Sequence, residues 1–84
     1  MADRQFDEEL ALERRHLGEL LRSTREEAGF TQQEAASRIG LSQSAISRFE
    51  KGERGLDLAE LRVILRAYGK SVQEFLMASY LLIL

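Results

Sequence analysis

The fold is decided by residues 31–52, TQQEAASRIGLSQSAISRFEKG, in which two short helix signatures flank a tight turn. Thr31 and Glu34 form a T-x-x-E capping box, in which each side chain accepts a hydrogen bond from an otherwise unpaired N–H group at a helix start. Gly40 can adopt the left-handed conformation in which that helix ends. Ser42 can then cap the next helix. The pattern predicts a sharp turn between two short helices.

The second predicted helix, roughly residues 43–51, has two different faces. Its polar face carries Gln43, Ser44, Ser47 and Arg48. Its opposite face carries Ile46 and Phe49. A helix of this kind packs one side on its own domain and leaves the other free to meet a base-pair edge. The alternative interpretation is that the polar face is only solvated surface.

Three further helices complete the predicted fold. Apolar side chains recur at helical spacing before Gly29, which predicts a first helix through Leu17, Leu20, Leu21, Thr24 and Ala28. A fourth helix is capped by Asp57 and Glu60, with a buried stripe of Leu58, Leu61, Leu65 and Tyr68. A fifth is capped by Ser71 and Glu74 and carries Val72, Phe75, Leu76 and Ser79. We expect an all-α, compact five-helix domain.

The charge of the chain is unevenly distributed. The net charge is −2 over 84 residues, but residues 1–13 hold five acidic side chains against the single cation Arg4. Residues 14–84 are therefore slightly basic. The acidic segment is predicted to be either a mobile arm or an extension of the first helix beginning near Asp3. A modestly basic remainder fits a small dimeric nucleic-acid binder of limited affinity.

The composition argues against several other classes of protein. The chain has no cysteine and one histidine, and Glu13-x-x-His16 lacks the further ligands that a metal site needs. No nucleophile–base pair is apparent, so we expect no enzyme activity, no metal and no cofactor. The apolar residues 75–84 reach about half the length of a membrane span, and no apolar signal region is present. We therefore expect a cytoplasmic protein without a membrane partner, with His16 on the surface.

The order of these helices and the residues of the turn resemble the phage repressor and Cro-type helix-turn-helix family, also called lambda-repressor-like or XRE-type. The resemblance covers about residues 17–76. Its marks include Gln32 and the stretch 44–53, SAISRFEKGE. The residues that would form the core of the motif are Ala36, Gly40, Ile46 and Phe49. A small residue at the helix crossing and a glycine in the turn let the two helices approach closely.

The resemblance implies that the chain binds double-stranded DNA, with the second motif helix in the major groove. The base-reading candidates by position are Gln43, Ser44 and Arg48, with Ser47 as a lesser one. The phosphate-contact candidates are Thr31, Gln32, Lys51 and Arg54, although Lys51 and Arg54 also fit ordinary surface charges. Arg25 and Glu50 match a pair that forms a salt bridge in relatives and would brace the reading helix.

The apolar C-terminal tail, residues 78–84, is the second informative segment. One interpretation is that it closes the core of the 14–77 domain. The other is a symmetric homodimer contact, because exposed apolar patches usually mark partner surfaces. The residues assigned to that contact are Phe75, Tyr80, Leu81, Leu82, Ile83 and Leu84. A dimer would place two reading helices about 34 Å apart, one turn of DNA.

The sequence thus predicts a dimeric, sequence-specific transcriptional regulator of the repressor type that reads a palindromic operator. Two alternatives remain open. One is an antitoxin-type regulator that also binds a protein toxin. The other is a protein-interaction module with the same fold and no DNA binding, which the net acidity favours.

Overall fold

The computed structural model describes residues 4–83, with side chains described for residues 4–79. It contains five helices: α1 (Arg4–Glu27), α2 (Gln32–Ile39), α3 (Gln43–Glu50), α4 (Leu58–Ala67) and α5 (Val72–Ile83). No strand occurs within the described range. The expected all-α fold of five helices is confirmed.

The helices begin at the residues that the capping patterns predict. Thr31 Oγ1 accepts the Glu34 N–H at 3.1 Å, and the Thr31 N–H donates to Glu34 Oε1 at 2.9 Å. The same reciprocal bonds join Asp57 to Glu60 and Ser71 to Glu74. The backbone N–H of Thr31 holds the pKa of the Glu34 carboxyl below its usual value, because it stabilises the charged form. Three of the four helix starts after α1 are therefore fixed by capping boxes.

The turn between α2 and α3 depends on Gly40. Its φ of 90° lies in the left-handed region, and its N–H donates to the Ala36 carbonyl at 2.8 Å. Ser42 then caps α3 by accepting the Ala45 N–H at 3.1 Å. A side chain at position 40 would find open space but a strained backbone. The turn therefore needs glycine for its conformation rather than for room.

The core gathers one face of every helix. Its buried members are Leu20, Leu21, Ala35, Phe49, Ile64, Leu65, Tyr68 and Phe75. α3 packs on α1 and α2, while α4 packs on α2 and α5. The α2–α3 pair is therefore held between α1, which packs on α3, and α4, which packs on α2.

One expectation about the fourth helix was wrong. Leu58 is 63% exposed and does not belong to the buried stripe of α4, whereas Ile64 is buried at 3% exposure. Leu58 lies on nearly the same side of the helix as the buried Leu65, seven residues on, but it is the first residue of α4 and is exposed at that end of the helix. In α5, Leu76 is half-exposed. Among the side chains described on α5, Phe75 and Ser79 are buried.

Phe75 also requires a correction as a proposed dimer contact. Its side chain is 3% exposed and belongs to the core, so it is not available to a second copy. The segment 78–83 is the C-terminal part of α5 rather than a tail that follows the last helix. The other proposed contact residues, Tyr80 to Leu84, lie outside the described side chains.

The acidic segment forms the start of α1, as the helix-extension alternative supposed. α1 begins at Arg4, and the side chains of residues 4–9 are exposed, including Phe6 at 62%. Further along α1, His16 Nε2 lies 3.1 Å from Ser79 Oγ on α5. His16 is therefore half-buried against α5 and is not the surface histidine that the sequence suggested.

We predict that Gly18→Ala destabilises the protein, although alanine normally favours a helix over glycine. α1 crosses the end of α3 at Gly18, where an added Cβ would lie 2.5 Å from the carbonyl oxygens of Phe49 and Glu50. Separating the two helices should lower the free energy of unfolding by about 1–3 kcal/mol. Urea unfolding measures this, with the exposed Ser23→Ala in the same helix as the control. Equal stability of Gly18→Ala and wild type would contradict the close crossing.

Candidate nucleic-acid interface

A buried ion pair joins α1 to the end of α3. Arg25 Nε donates to Glu50 Oε2 at 2.7 Å, and Arg25 Nη2 donates to Glu50 Oε1 at 3.1 Å. The two residues are 6% and 7% exposed. The hydrogen bond that Arg25 donates to Glu50 raises the pKa of Arg25, against the opposing effect of burial. This is the pair assigned as a brace from the sequence, and its two-pronged geometry fixes orientation as well as charge.

The ion pair is completed by Phe30, which the sequence did not single out, and by Tyr68, which was predicted to be buried on the fourth helix. Arg25 Nη1 donates to the Phe30 carbonyl at 2.7 Å. The ring of Phe30 lies 6.2 Å from that of Tyr68, and Tyr68 is buried at 6% exposure. Burial raises the pKa of Tyr68 to about 12, and the charge of Glu50 adds to that rise. The only sequence signal was the position of Phe30 directly after the glycine that ends α1.

A chain of polar contacts leads from the ion pair to the exposed surface. Gln32 Nε2, at the start of α2, donates to Glu50 Oε1 at 3.0 Å. Gln43 Nε2, at the start of α3, lies 3.5 Å from Gln32 Oε1. Gln32, predicted as a phosphate contact, is half-buried and already bonded to Glu50. In the structure, the Gln32 side chain therefore links the starts of α2 and α3 to the buried carboxylate of Glu50.

The candidate reading face lies on the outer side of α3. Gln43, Ser44 and Arg48 are exposed and Ser47 is half-buried. On the opposite side, Ile46 and Phe49 are 2% and 3% exposed. Together with Ala36 at 4% exposure, they fill the space between α2, α3 and the rest of the core. Among the side chains that the structure describes, none forms an ion pair with Arg48.

The predicted phosphate contacts differ in their availability. Thr31 is exposed at the start of α2, and Lys51 is exposed at the end of α3. Arg54 is held by its own protein: its Nη2 lies 3.2 Å from Glu60 Oε2, and its guanidinium stacks over Phe49 at 4.6 Å. Thr31 and Lys51 are thus exposed at the start of α2 and the end of α3, while Arg54 contacts Glu60 of α4 and Phe49 of α3.

Other kinds of site find no support in residues 4–83. The described residues contain no group of three or more His, Cys, Asp or Glu arranged to hold a metal ion. No helix in that range is both long enough and apolar enough to cross a bilayer.

Comparison with known proteins agrees with the geometry. A family model described as a helix-turn-helix domain matches residues 16–75. The chain is also similar in structure to the clp gene regulator ClgR from C. glutamicum, with a TM-score of 0.75 and 31% sequence identity. That similarity covers 80% of this chain and 86% of the ClgR chain. No curated protein matches the sequence.

The protein is therefore a DNA-binding helix-turn-helix protein of the transcription-regulator class. More particularly, the chain belongs to the helix-turn-helix domain family whose model spans residues 16–75, from the middle of α1 into α5. The family membership that the turn residues suggested is confirmed.

We predict that Glu50→Ala lowers the free energy of unfolding by about 3–5 kcal/mol, because it leaves the Arg25 guanidinium buried without a counter-charge. The double variant Arg25→Met/Glu50→Leu removes both charges at similar volume and should recover most of that loss. Thermal and urea unfolding of the two variants measure the difference. A double variant no more stable than Glu50→Ala would contradict this account of the ion pair.

Proposed function

We propose that the chain is a sequence-specific transcriptional regulator of the repressor type that binds a palindromic operator as a homodimer. The observation that carries the proposal is the exposed polar face of α3, which is held by a buried ion pair and a packed opposite face. A short helix presented in this way can enter the major groove with its first residues at base edges.

The reading face offers two side chains with known base preferences. Gln43 can accept from and donate to the edge of adenine, and Arg48 can donate twice to guanine. Ser44 can bond either kind of base edge, and half-buried Ser47 can reach only a base that lies close to the helix. Gln43 is oriented before binding by Gln32, which is itself bonded to Glu50. Such preorganisation lowers the ordering cost of binding.

Phosphate contacts would fix the position of α3 on the duplex. The exposed start of α2 at Thr31 presents backbone N–H groups and the positive end of the helix dipole, which favours an anion. Lys51 lies at the other end of α3. Arg54 is partly engaged, because its Nη2 contacts Glu60 Oε2 at 3.2 Å, so we assign it a smaller share than the sequence suggested.

The homodimer is proposed to form through the C-terminal part of α5. This helix is the most apolar of the five, with Leu76 and Met77 exposed at 49% and 56%. Residues 80–84, YLLIL, continue the apolar sequence. Two linked copies would contact two half-sites, so each chain needs only a modest affinity of its own.

A second candidate is a regulator that also binds another protein, such as the toxin of an antitoxin-type pair. The observation in its favour is an apolar groove of about 290 Å³ between α2 and α4, where Ile39 and Leu41 adjoin Val63. Val63 is 51% exposed. Copurification of a small unrelated protein from the native host would support this candidate, and its loss on Val63→Asp would place the contact in the groove.

We predict that Arg48→Ala and Lys51→Ala weaken DNA binding in different ways. Arg48→Ala should cost about 1–3 kcal/mol and relax the base preference at one position of the selected site. Lys51→Ala should weaken all sequences alike and lower the salt slope by about one. Gel shifts on duplexes enriched from a random pool, at two salt concentrations, measure both effects. No wild-type binding even at low salt would leave the protein-interaction module as the function.

We predict that a chain ending at Ser79 loses the dimer but keeps its fold, because it retains Phe75 and Ser79, which are buried among the side chains described on α5. Sedimentation equilibrium should give a monomer for the short chain and a dimer for the full chain. The control is Met77→Leu in the full chain, which preserves apolar character. A short chain that remains dimeric would show that the contact lies elsewhere.

A further inference from the structure

The chain carries a basic stripe outside the α2–α3 pair. Arg62 and Arg66 lie one turn apart on the exposed side of α4, and Lys70 follows the end of that helix. The three cations line a groove of about 410 Å³ together with Leu58, Ser71 and Val72. No ion pair engages them among the described side chains. Three adjacent cations without counter-charges form a surface suited to an anionic partner.

One acidic group lies near the stripe, but its carboxylate is already engaged. The backbone N–H of Ser71 is the main cause that holds the pKa of Glu74 below its usual value, and Lys70 is a lesser one. Glu74 Oε1 accepts that N–H at 3.1 Å as part of the helix cap. Glu74 therefore neutralises the stripe only in part.

The complementary surface is the acidic end of α1, where Glu9 and Glu13 share one side of the helix and Asp7 and Glu8 lie on its other sides. All four side chains are exposed, and no ion pair engages them within the described part of the chain. Within its own chain, α1 is continuous from Arg4 and packs mainly on α3 and α5. It meets α4 in a groove lined by Glu13, Glu60 and Leu61 among others, and the three cations of the stripe do not line that groove.

The two surfaces also match in spacing. Glu9 and Glu13 are one helical turn apart, as are Arg62 and Arg66, and each pair spans a rise of about 6 Å. One turn before each pair lies an exposed apolar side chain: Phe6 at 62% and Leu58 at 63% exposure. Two parallel helices in this register would pair Glu9 with Arg62 and Glu13 with Arg66, with Phe6 and Leu58 offset by one residue because Phe6 precedes Glu9 by three residues and Leu58 precedes Arg62 by four.

From this complementarity we infer that copies of the chain associate head to tail, with the acidic end of α1 in one copy docked on the basic stripe of α4 in the next. The contact is heterologous, so it leaves one free acidic end and one free stripe and can extend. Each exposed ion pair contributes little alone, so the contact depends on several acting together and weakens as salt screens them. It is separate from the apolar contact proposed for α5 and needs no DNA.

The test is sedimentation velocity of the full chain without DNA. We expect the association constant beyond the α5-mediated dimer to fall at least about tenfold between about 50 mM and 500 mM salt. Arg62→Glu/Arg66→Glu and Glu9→Arg/Glu13→Arg should each lose this association at low salt. An equimolar mixture of the two variants should recover it, because the mixture restores two complementary pairs of surfaces: the wild-type acidic end with the wild-type stripe, and the reversed end with the reversed stripe. The matched control, Arg15→Glu/Arg22→Glu, changes the same charge elsewhere on α1 and should associate as wild type.

Three results would overturn the inference. The first is association that does not respond to salt or to either variant. The second is a mixture of the two folded variants, checked by circular dichroism, that fails to reassociate. The third is unchanged self-association together with weaker DNA binding by Arg62→Glu/Arg66→Glu, which would make the stripe a phosphate contact. If charge reversal prevents folding, Arg62→Gln/Arg66→Gln is used, with weakened association expected. Loss of DNA binding by Arg48→Ala bears only on the proposed function.

Discussion

The structure depends on the buried pairing of Arg25 with Glu50. One carboxylate accepts from Arg25 on α1 and from Gln32 on α2, while itself belonging to α3. The carboxylate of Glu50, a residue that is 7% exposed, thereby holds α1, α2 and α3 together. An apolar pair could stabilise these positions equally well, but it would not fix the direction of Gln32 and, through it, of Gln43. The ion pair is therefore best understood as a positioning device for the start of the reading helix.

Local signals predicted most of the fold because they act within a few residues. The capping boxes at Thr31, Asp57 and Ser71 and the left-handed Gly40 set the helix bounds without reference to distant parts of the chain. The packing between distant parts of the chain was harder to predict from the sequence. The spacing of Leu58 allowed a place in the buried stripe, but only the packing of α4 against α2 and α5 selects Ile64 instead.

The candidate site was predictable to a similar extent. The family resemblance placed Arg25 and Glu50 together, and helix geometry placed Gln43, Ser44 and Arg48 on one side of α3. Neither could show that Gln32 bonds to Glu50, or that Arg54 prefers Glu60 and the ring of Phe49 to open solvent. Such choices depend on which partners the fold brings within a few ångströms. They are a property of tertiary packing and are not encoded by spacing alone.

The uneven distribution of charge along the chain follows from the two kinds of contact proposed for it. The surface of α2–α3 keeps few cations, so specificity depends on oriented side chains and on dimer formation more than on charge. The remaining cations on α4 and the acids of α1 serve contacts between copies. The most direct test of the central claim is the DNA affinity of Arg25→Met/Glu50→Leu, measured at a temperature where it is fully folded. The account predicts at least about tenfold weaker binding to the selected duplex, since Gln32 and Gln43 lose their anchor. Wild-type affinity in that folded variant would contradict it.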